Sequence, residues 1–239
     1  MKIIDFSFPT PEENLACDEA LLDLCENGLD GELLRFWEPS SYFVVLGYSS
    51  RAEREVRLDY CAGEGLPILR RTTGGGTVLQ GPGCLNFSVI LRIEKRPEIA
   101  SITRANQFIM TRHKQALEPL LGSALEVRGI TDLAIGRLKF SGNAQRRKRH
   151  HLLFHGSFLL DFNLDLIEEV LHIPARQPAY RENRTHKKFL TNLHLPPAPI
   201  KEALRQCWLA EGPFGDLPLN AIGQLVAEKY SAASWNLKF

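Results

Sequence analysis

The segment RRTTGGGTVLQGPGCLNFS at 70–88 concentrates residues that could bind an anion. Its three consecutive glycines at 74–76 each cost about 0.5–1 kcal/mol relative to alanine in an ordered backbone, so they indicate a tight turn or close contact with a ligand. Arg70 and Arg71 precede the glycines, and Thr73 adds a hydroxyl group. Glycine amides and guanidinium groups together favour a carboxylate or a phosphate. The alternative is a flexible hairpin whose arginines face solvent.

The segment GITDLAIGRLKFSGNAQ at 129–145 predicts a β-hairpin with a two-residue turn at 136–137. This register places Asp132 opposite Ser141 and makes Asp132 and Lys139 diagonal neighbours on one face, about 7–8 Å apart. From the backbones alone that separation is too long for a direct bridge, but it admits a bound phosphate and cation, with Lys139 at the anion and Asp132 at the metal. The alternative is an ordinary solvated ion pair.

Two further strands carry polar positions that could extend the same site. LNFSVILR at 85–92 alternates apolar and polar side chains, with Asn86 on its polar face. HLLFHGSFLLDF at 151–162 places His155 on the face opposite its large apolar residues. The basic run at 146–151 is predicted to be a loop that is solvated, binds phosphates or docks an acidic partner.

Periodicity and capping predict the elements that position these residues. Thr10 is the predicted N-cap of a helix that runs from Pro11 to about Gly28. Further helices are predicted at 57–64, at 101–121 and in short pieces after Asp165, and strands at 32–37, 42–48, 67–71, 85–92, 131–135, 138–145 and 152–161. Strands in runs, with helices before, between and after them, indicate an α+β domain with a mixed, largely antiparallel sheet flanked by helices. No Rossmann or P-loop motif occurs.

Composition restricts the class of protein. The 239 residues are 44% hydrophobic and 24% charged with a net charge of +1, which argues against a whole-surface nucleic-acid or membrane binder. Five widely spaced cysteines without a CxxC motif favour free thiols in a reducing cytosol. The N-terminal residues lack the pattern of a secretory signal, and no apolar run is long enough to span a bilayer. We therefore expect a cytoplasmic protein with no nucleic-acid or membrane partner.

Together, these segments resemble the superfamily of biotin and lipoate protein ligases and lipoyl or octanoyl transferases, and best of all the lipoate–protein ligases. The resemblance covers roughly residues 12–172. It depends on the order and spacing of NLACDEALL (14–22), FVVLGYSS (43–50), RRTTGGGTVLQGPGCLNFS (70–88), TDLAIGRLKFSGNAQR (131–146) and HGSFLLD (155–161). It implies a biotin/lipoate ligase-like catalytic domain. It also implies a reaction with ATP and Mg²⁺ in which lipoate or octanoate becomes an acyl-adenylate and then acylates a lysine of a lipoyl carrier domain.

The resemblance also implies a role for each candidate residue. Lys139 would be the essential catalytic lysine, in contact with carboxylate and phosphate oxygens, and Asp132 would lie near the phosphate and the metal. The residues along the acyl chain and its carboxylate would be Arg70, Arg71, Thr73, Gly74, Gly75, Gly76, Val78 and His155. The nucleotide would be bound by Asn86, Ser141, Gly142, Ala144 and Arg146. Candidate walls of the acyl slot are Val44, Val45 and Val78.

Two departures from the family pattern concern the nucleotide loop and the domain organisation. The His-Asp pair that often follows the glycines is replaced by Gln80 and Gly81, which questions how this loop binds the adenylate. The expected organisation is a single catalytic domain over 1–239, with a core at 12–172 and a helical tail at 173–239. This leaves no room for a full accessory domain, so a separate accessory subunit could be required.

Cysteine chemistry separates the ligase from its main rival. Octanoyltransferases use a cysteine nucleophile, and one group carries it shortly before the lysine, where this chain has the residues Gly129, Ile130 and Thr131. The ligase is therefore favoured over an ATP-independent lipoyl or octanoyl transferase. Cys84, beside the glycine-rich segment, is expected to be a buried core thiol, with approach to the acyl group as the alternative. A third hypothesis is a non-catalytic protein that only binds a lipoyl domain.

Overall fold

The computed structural model describes all of residues 1–239 and contains ten strands and nine α-helices. The strands are Lys2–Asp5 (β1), Leu33–Trp37 (β2), Phe43–Leu46 (β3), Ile68–Arg70 (β4), Val78–Gln80 (β5), Cys84–Arg92 (β6), Leu125–Arg128 (β7), Asp132–Ile135 (β8), Leu138–Arg147 (β9) and His151–Leu159 (β10). The helices are Pro11–Glu26 (α1), Ala52–Glu55 (α2), Leu58–Gly63 (α3), Ile102–Leu121 (α4), Leu164–Val170 (α5), His186–Phe189 (α6), Pro197–Cys207 (α7), Leu219–Leu225 (α8) and Ala233–Asn236 (α9). None of these helices has the length and apolar character that a membrane span requires.

The strands form two sheets. Seven strands make the large sheet in the order β1-β2-β6-β10-β9-β8-β7, in which every pair is antiparallel except β1 and β2. The small sheet has the order β4-β3-β5, with β3 parallel to β4 and antiparallel to β5. The predicted α+β class with a mixed, largely antiparallel sheet is confirmed. The edge strands β1 and β7 were not predicted, because each has four residues and one buried side chain.

Alternation in β6 separates the two faces of the large sheet. The apolar side chains of Leu85, Phe87 and Val89 are buried in the main core with residues of α4 and α7. Asn86 and Ser88 lie on the opposite face, where the Ser88 hydroxyl reaches α1. The predicted division between an apolar and a polar face is confirmed, since successive side chains of a strand point to opposite sides.

Helix α1 begins as the capping pattern predicts. Thr10 Oγ1 accepts a hydrogen bond from the Glu13 amide, and Glu13 Oε2 accepts one from the Thr10 amide, which closes a capping box. The helix is buried along most of its length and includes Asn14 and Asp18 among its buried residues. A buried carboxylate in a helix requires a partner. Helix α1 therefore carries polar chemistry against the polar face of the large sheet.

The hairpin of β8 and β9 differs from its predicted register by one residue. Gly136 has a φ of 57°, and Ala134 pairs with Lys139 as expected. A bulge then shifts the pairing so that Ser141 lies opposite Leu133 and not Asp132. A bulge places two residues of one strand against one of the other and bends the strand. The turn chemistry predicted the start of the hairpin, but not this irregularity.

Candidate active site

A cavity of about 1030 Å³ gathers most of the predicted site residues. Strands of both sheets contribute to its walls, together with the chain between residues 172 and 190. The predicted residues that line it are Arg71, Gly75, Gly76, Val78, Asn86, Asp132, Lys139, Gly142, Ala144 and His155. The predicted residues that do not reach the lining are Arg70, Thr73, Gly74, Ser141 and Arg146.

Lys139 is held at the cavity wall by a direct ion pair. Its Nζ lies 2.7 Å from Asp132 Oδ1, and the Tyr180 hydroxyl donates to the other carboxylate oxygen at 2.8 Å. Burial and the nearby Asp132 charge raise the pKa of Tyr180, so its proton stays in this hydrogen bond. The two flexible side chains therefore span the distance between their backbones and form a direct ion pair, as the alternative interpretation expected, but a partly buried one.

Gly142 leaves the space that the Lys139 side chain occupies. A Cβ atom at position 142 would lie 2.8 Å from Lys139 Nζ and 3.0 Å from its Cε. Both distances are shorter than ordinary van der Waals contact, so any side chain there would displace the ammonium group. Gly142 lines the cavity as predicted, and its absent side chain sets the position of Lys139.

Arg71 shapes the glycine turn from within. Its Nε donates to Thr73 Oγ1 at 2.9 Å and its Nη1 donates to the Val45 carbonyl at 3.2 Å. Its Nη2 donates to the carbonyls of Gly74 and Gly76 at 2.7 and 2.8 Å. Burial lowers the pKa of Arg71 to about 10, which keeps the guanidinium charged at neutral pH. Since most of its donors are bound to the chain itself, Arg71 supports the turn more than it offers free donors to an anion.

Arg70 does not belong to the site, contrary to expectation. Its guanidinium is fully buried and donates to the carbonyls of Gly47 and Ser50, both at 2.8 Å, and to that of Asn236 at 2.9 Å. Arg70 is the last residue of β4, and the Arg71 amide continues the pairing by donating to the Leu46 carbonyl at 3.0 Å. Successive side chains of such an extended chain point to opposite sides, so Arg70 faces away from the cavity that Arg71 lines. Arg70 therefore joins the loop after β3 to helix α9.

Ser141 and Arg146 were expected to line the nucleotide pocket and do not. Ser141 is buried behind the lining and accepts a long hydrogen bond of 3.4 Å from Asn143 Nδ2. Arg146 lies near the far end of β9, with its Nη1 3.8 Å from Glu19 Oε1 on α1. The bulge changes the pairing of Ser141, so its position differs from the predicted register. Arg146 is too far along the ten-residue strand β9 to reach the cavity.

The basic run after β9 binds the chain's own carboxylates. Lys148 forms an ion pair with Asp23 of α1. Glu26 of α1 accepts hydrogen bonds from the amides of residues 149, 150 and 151. The predicted loop is confirmed only for residues 148–150, because Arg146 and Arg147 belong to β9 and His151 begins β10. The acidic partner of this loop is helix α1 of the same chain.

An ion pair between α1 and β2 was missed by the sequence interpretation. Arg35 Nη1 lies 2.6 Å from Asp18 Oδ1, with side chains only 1% and 6% exposed. The Ser88 hydroxyl donates to Asp18 Oδ2 at 2.6 Å. Burial opposes ionisation of Asp18, but the Arg35 charge and the hydrogen bonds from His155 and Ser88 hold its pKa below the usual value. The only local signal was an acidic residue among the apolar residues of NLACDEALL.

His155 connects this ion pair to the glycine turn. Its Nδ1 lies 3.4 Å from Asp18 Oδ2, and its Nε2 lies 2.7 Å from Thr73 Oγ1. Thr73 in turn accepts from Arg71 Nε, so a continuous chain of hydrogen bonds runs from α1 to the turn. Both ring nitrogens of His155 have partners. His155 therefore orients the turn from the cavity wall.

Close packing against the glycine turn yields a testable prediction. A Cβ atom at Gly47 would lie 2.0 Å from the carbonyl oxygen of Gly75, which has a φ of 88°. Gly47→Ala must therefore displace the turn, and we expect it to lower the free energy of unfolding by about 1–3 kcal/mol, as overpacking does. Urea unfolding measures this difference.

The matched control lies in the same turn. A Cβ atom at Gly74 meets nothing within 4 Å, and its φ is not in the left-handed region. We expect Gly74→Ala to change the free energy of unfolding by less than about 0.5 kcal/mol. Equal stability of the two variants would contradict the role given to Gly47.

All five cysteines lie outside the cavity lining. Cys84 is 2% exposed and packs in a core cluster that includes Val44 and Phe162. Burial raises the pKa of the Cys84 thiol to about 12, so a reactive thiolate is disfavoured. The expectation of a buried core thiol at position 84 is confirmed.

The donor set of the cavity suits a phosphorylated ligand better than a metal bound by protein alone. No three His, Cys, Asp or Glu side chains lie close enough to hold a metal ion. Asn86 Nδ2 and Gln80 Oε1, both of residues that line the cavity, are buried without hydrogen-bond partners. Mg²⁺ is commonly held by one or two carboxylates together with substrate phosphates. Asp132 could supply such a carboxylate.

Comparison with known proteins identifies the family. A family model described as the lipoyl protein ligase A/B catalytic domain matches residues 10–206. The chain belongs to this family. The resemblance to lipoate–protein ligases expected from the sequence is confirmed, and the chain is an enzyme of the group of lipoate and octanoate protein ligases and transferases.

Some relatives in this family are named octanoyltransferases and others lipoate-protein ligases. Octanoyltransferase LipM of Brevibacillus brevis is 26% identical over 96% of this chain and 95% of its own length. Lipoate-protein ligase A subunit 1 of Thermoplasma acidophilum is 33% identical over 67% of this chain and 63% of its own length. A crystal structure of lipoate-protein ligase A bound with ATP has the same fold, with a TM-score of 0.82 and 24% identity over 99% of this chain and 98% of its own.

Proposed function

We propose that this member of the family is an ATP-dependent lipoate–protein ligase. It would activate lipoate or octanoate as an acyl-adenylate and transfer the acyl group to a lysine of a lipoyl carrier domain. The observation that carries the proposal is a cavity in which an ammonium group, Lys139, stands with a glycine turn and without any thiol. A mixed anhydride with AMP requires a cation for its phosphate, whereas a thioester intermediate requires a cysteine.

Lys139 acts as a positive charge in this proposal, and not as a nucleophile. An ammonium group about 4 Å from a phosphate oxygen contributes about 4 kcal/mol at an effective dielectric constant near 20. Lys139 is 24% exposed at its side chain, so solvent reduces that figure only in part. Asp132 keeps the ammonium in place and offers a carboxylate to a magnesium ion carried by the phosphates. ATP supplies the adenylyl group that the acid receives, and pyrophosphate is the leaving group.

Apolar residues of the cavity provide a place for the acyl chain. Val45 and Val78 line it as predicted, together with Leu15 and Trp37. Each methylene group buried there contributes about 0.8 kcal/mol. Val44 was also expected in this wall, but it is fully buried in the core between the small sheet and its helices. Val44 and Val45 are neighbours in β3, so they point to opposite faces.

The proposed partners follow from the same chemistry. The acyl acceptor is a lysine amine on a separate lipoyl carrier protein, which must reach the mouth of the cavity. The relative named as subunit 1 of a ligase supports an accessory subunit for this chain as well. We propose one catalytic domain over 1–239 and a cytosolic location, because all five cysteines are free, as is typical of a reducing compartment.

The second candidate is an ATP-independent octanoyltransferase. It is favoured by the name of the Brevibacillus brevis relative, which matches nearly the whole chain. A thioester mechanism would require one of the five cysteines, and burial raises the pKa of each of them. Consumption of an octanoylated carrier protein without ATP, lost in Cys84→Ser, would support this candidate.

Exchange of pyrophosphate into ATP tests the proposed function. We expect the wild-type chain to catalyse exchange when lipoate or octanoate is present, and not with biotin. The reason is that exchange requires reversible formation of an acyl-adenylate from the free acid. Absence of exchange with all three acids, for the chain alone and with an accessory subunit added, would contradict the ligase.

A further inference from the structure

Arg181 places a buried cation in the cavity wall, in the chain that follows the five motifs. It ends a single 3₁₀ turn at Ala179–Arg181, and it is 4% exposed. Its side chain lines the cavity. The guanidinium Nη2 is buried without a hydrogen-bond partner. A buried charged donor without an acceptor is costly, so this arrangement indicates a ligand that is absent from the free protein.

The rest of the Arg181 side chain is firmly held. Its Nε donates to the Arg184 carbonyl at 3.0 Å, and Arg184 Nε donates back to the Arg181 carbonyl at 3.0 Å. The guanidinium lies over the Phe189 ring, with Cζ 4.7 Å from the ring centroid. The Nε edge of the guanidinium is thus anchored, whereas Nη2 has no acceptor within the protein. A preorganised donor of this kind binds an anion without a large loss of side-chain entropy.

Arg181 shares one region of the cavity with Lys139. The neighbouring Tyr180 donates to Asp132, which pairs with Lys139. His186, which also lines the cavity, has its pKa lowered by burial and by the charges of both Arg181 and Lys139. Two carboxylates act on this region: Asp132, which is already bound to Lys139 and Tyr180, and Glu168. The cations there are Lys139, Arg181 and Arg184, so positive charge exceeds negative charge around this end of the cavity.

We infer that Arg181 and Lys139 form a subsite for the pyrophosphate group of ATP. The inference rests on the proposed function and names the group that this end of the cavity receives. The acid's carboxylate oxygen forms a bond to the α-phosphorus, and the bond from that phosphorus to the bridging oxygen breaks. The electron pair of the broken bond leaves with pyrophosphate, so negative charge grows there, and two cations at that position stabilise it.

Binding of inorganic pyrophosphate to the full-length chain tests the subsite directly by calorimetry. We expect Arg181→Gln to weaken pyrophosphate binding by at least about tenfold, which corresponds to one lost charge-assisted hydrogen bond. Binding of AMP and of lipoate should change by less than about threefold, since neither carries the pyrophosphate group. Pyrophosphate affinity is measured without any turnover of substrate. The proposed function is tested separately, by the exchange assay with wild-type protein.

Arg184→Gln is the matched control. Arg184 also lies over Phe189, at 5.2 Å, and ties the same segment together through the carbonyls of Tyr180 and Lys188, but it does not line the cavity. We expect this variant to keep pyrophosphate affinity within about threefold. The inference is overturned if wild-type protein does not bind pyrophosphate, if Arg181→Gln binds it as well as wild type, or if both variants lose affinity equally. Equal weakening of pyrophosphate and AMP by Arg181→Gln would also overturn it, because it would assign Arg181 to the α-phosphate.

Discussion

Replacing Lys139 with alanine is expected to slow acyl-adenylate formation by about 10²–10³-fold, the usual cost of removing one preorganised donor from a developing negative charge. Lys139 is positioned for this role by its ion pair with Asp132 at 2.7 Å and by the space that Gly142 leaves. No second lysine lines the cavity, so no other amine can take its place. Pyrophosphate exchange with saturating lipoate measures the rate.

The control for this variant is Lys148→Ala. Lys148 is also paired with a carboxylate, that of Asp23, but it lies outside the cavity lining. Its loss should change the exchange rate by less than about threefold. A Lys139→Ala protein that exchanges pyrophosphate within threefold of wild type, with an unchanged unfolding midpoint, would remove Lys139 from the reaction. The midpoint is needed because the variant also leaves Asp132 with Tyr180 as its only side-chain partner.

Replacing Asp18 with asparagine is expected to lower the free energy of unfolding by about 3 kcal/mol, near the lower end of the effect of breaking a buried ion pair. The variant leaves the Arg35 guanidinium buried without a counter-charge, among the neutral acceptors of Asn14. Asparagine keeps one side-chain oxygen, so its NH2 donor must face either Arg35 or the pair of Ser88 and His155. Urea unfolding at neutral pH measures the loss.

The pH dependence of this difference follows from the pKa of Asp18. The folded protein holds that pKa below the ordinary value of 3.8, so the stabilisation is present above pH 3.8 and is lost as the pH falls through the lower folded pKa. The two proteins should therefore approach each other in stability only in acid. Asp23→Asn is the control on the same helix, since Asp23 is 38% exposed and its ion pair contributes less than about 1 kcal/mol. A loss as small as that of Asp23→Asn would refute the importance of the buried pair.

Interactions between residues close in sequence were predictable. The capping box of α1 joins Thr10 and Glu13, and the alternation of β6 repeats every second residue, so both depend on neighbours only. The glycine turn was found because three consecutive glycines are costly in an ordered backbone, and Lys139 because the turn at 136–137 fixes the start of its hairpin. The order of five motifs then indicated the family, which the family model confirms.

Interactions between distant residues were not predictable in the same way. Asp18 meets Arg35 across 17 positions and His155 across 137, and no local pattern states which segments come together. Arg70 and Arg71 are adjacent and chemically identical, yet strand alternation buries one among carbonyls and turns the other to the cavity. Only the folded structure shows that Arg71, and not Arg70, lines the cavity.

The sequence by itself determined the α+β class, the main elements and the ten candidate residues that line the cavity, because these depend on local periodicity, turn chemistry and characteristic motifs. The tertiary structure alone decided the direct pair of Lys139 with Asp132, the buried support behind His155 and the entry of Arg181 into the cavity. Each of these depends on the relative position of segments that are far apart in the chain. Packing of the whole core sets that relative position, and no single segment of the sequence specifies it.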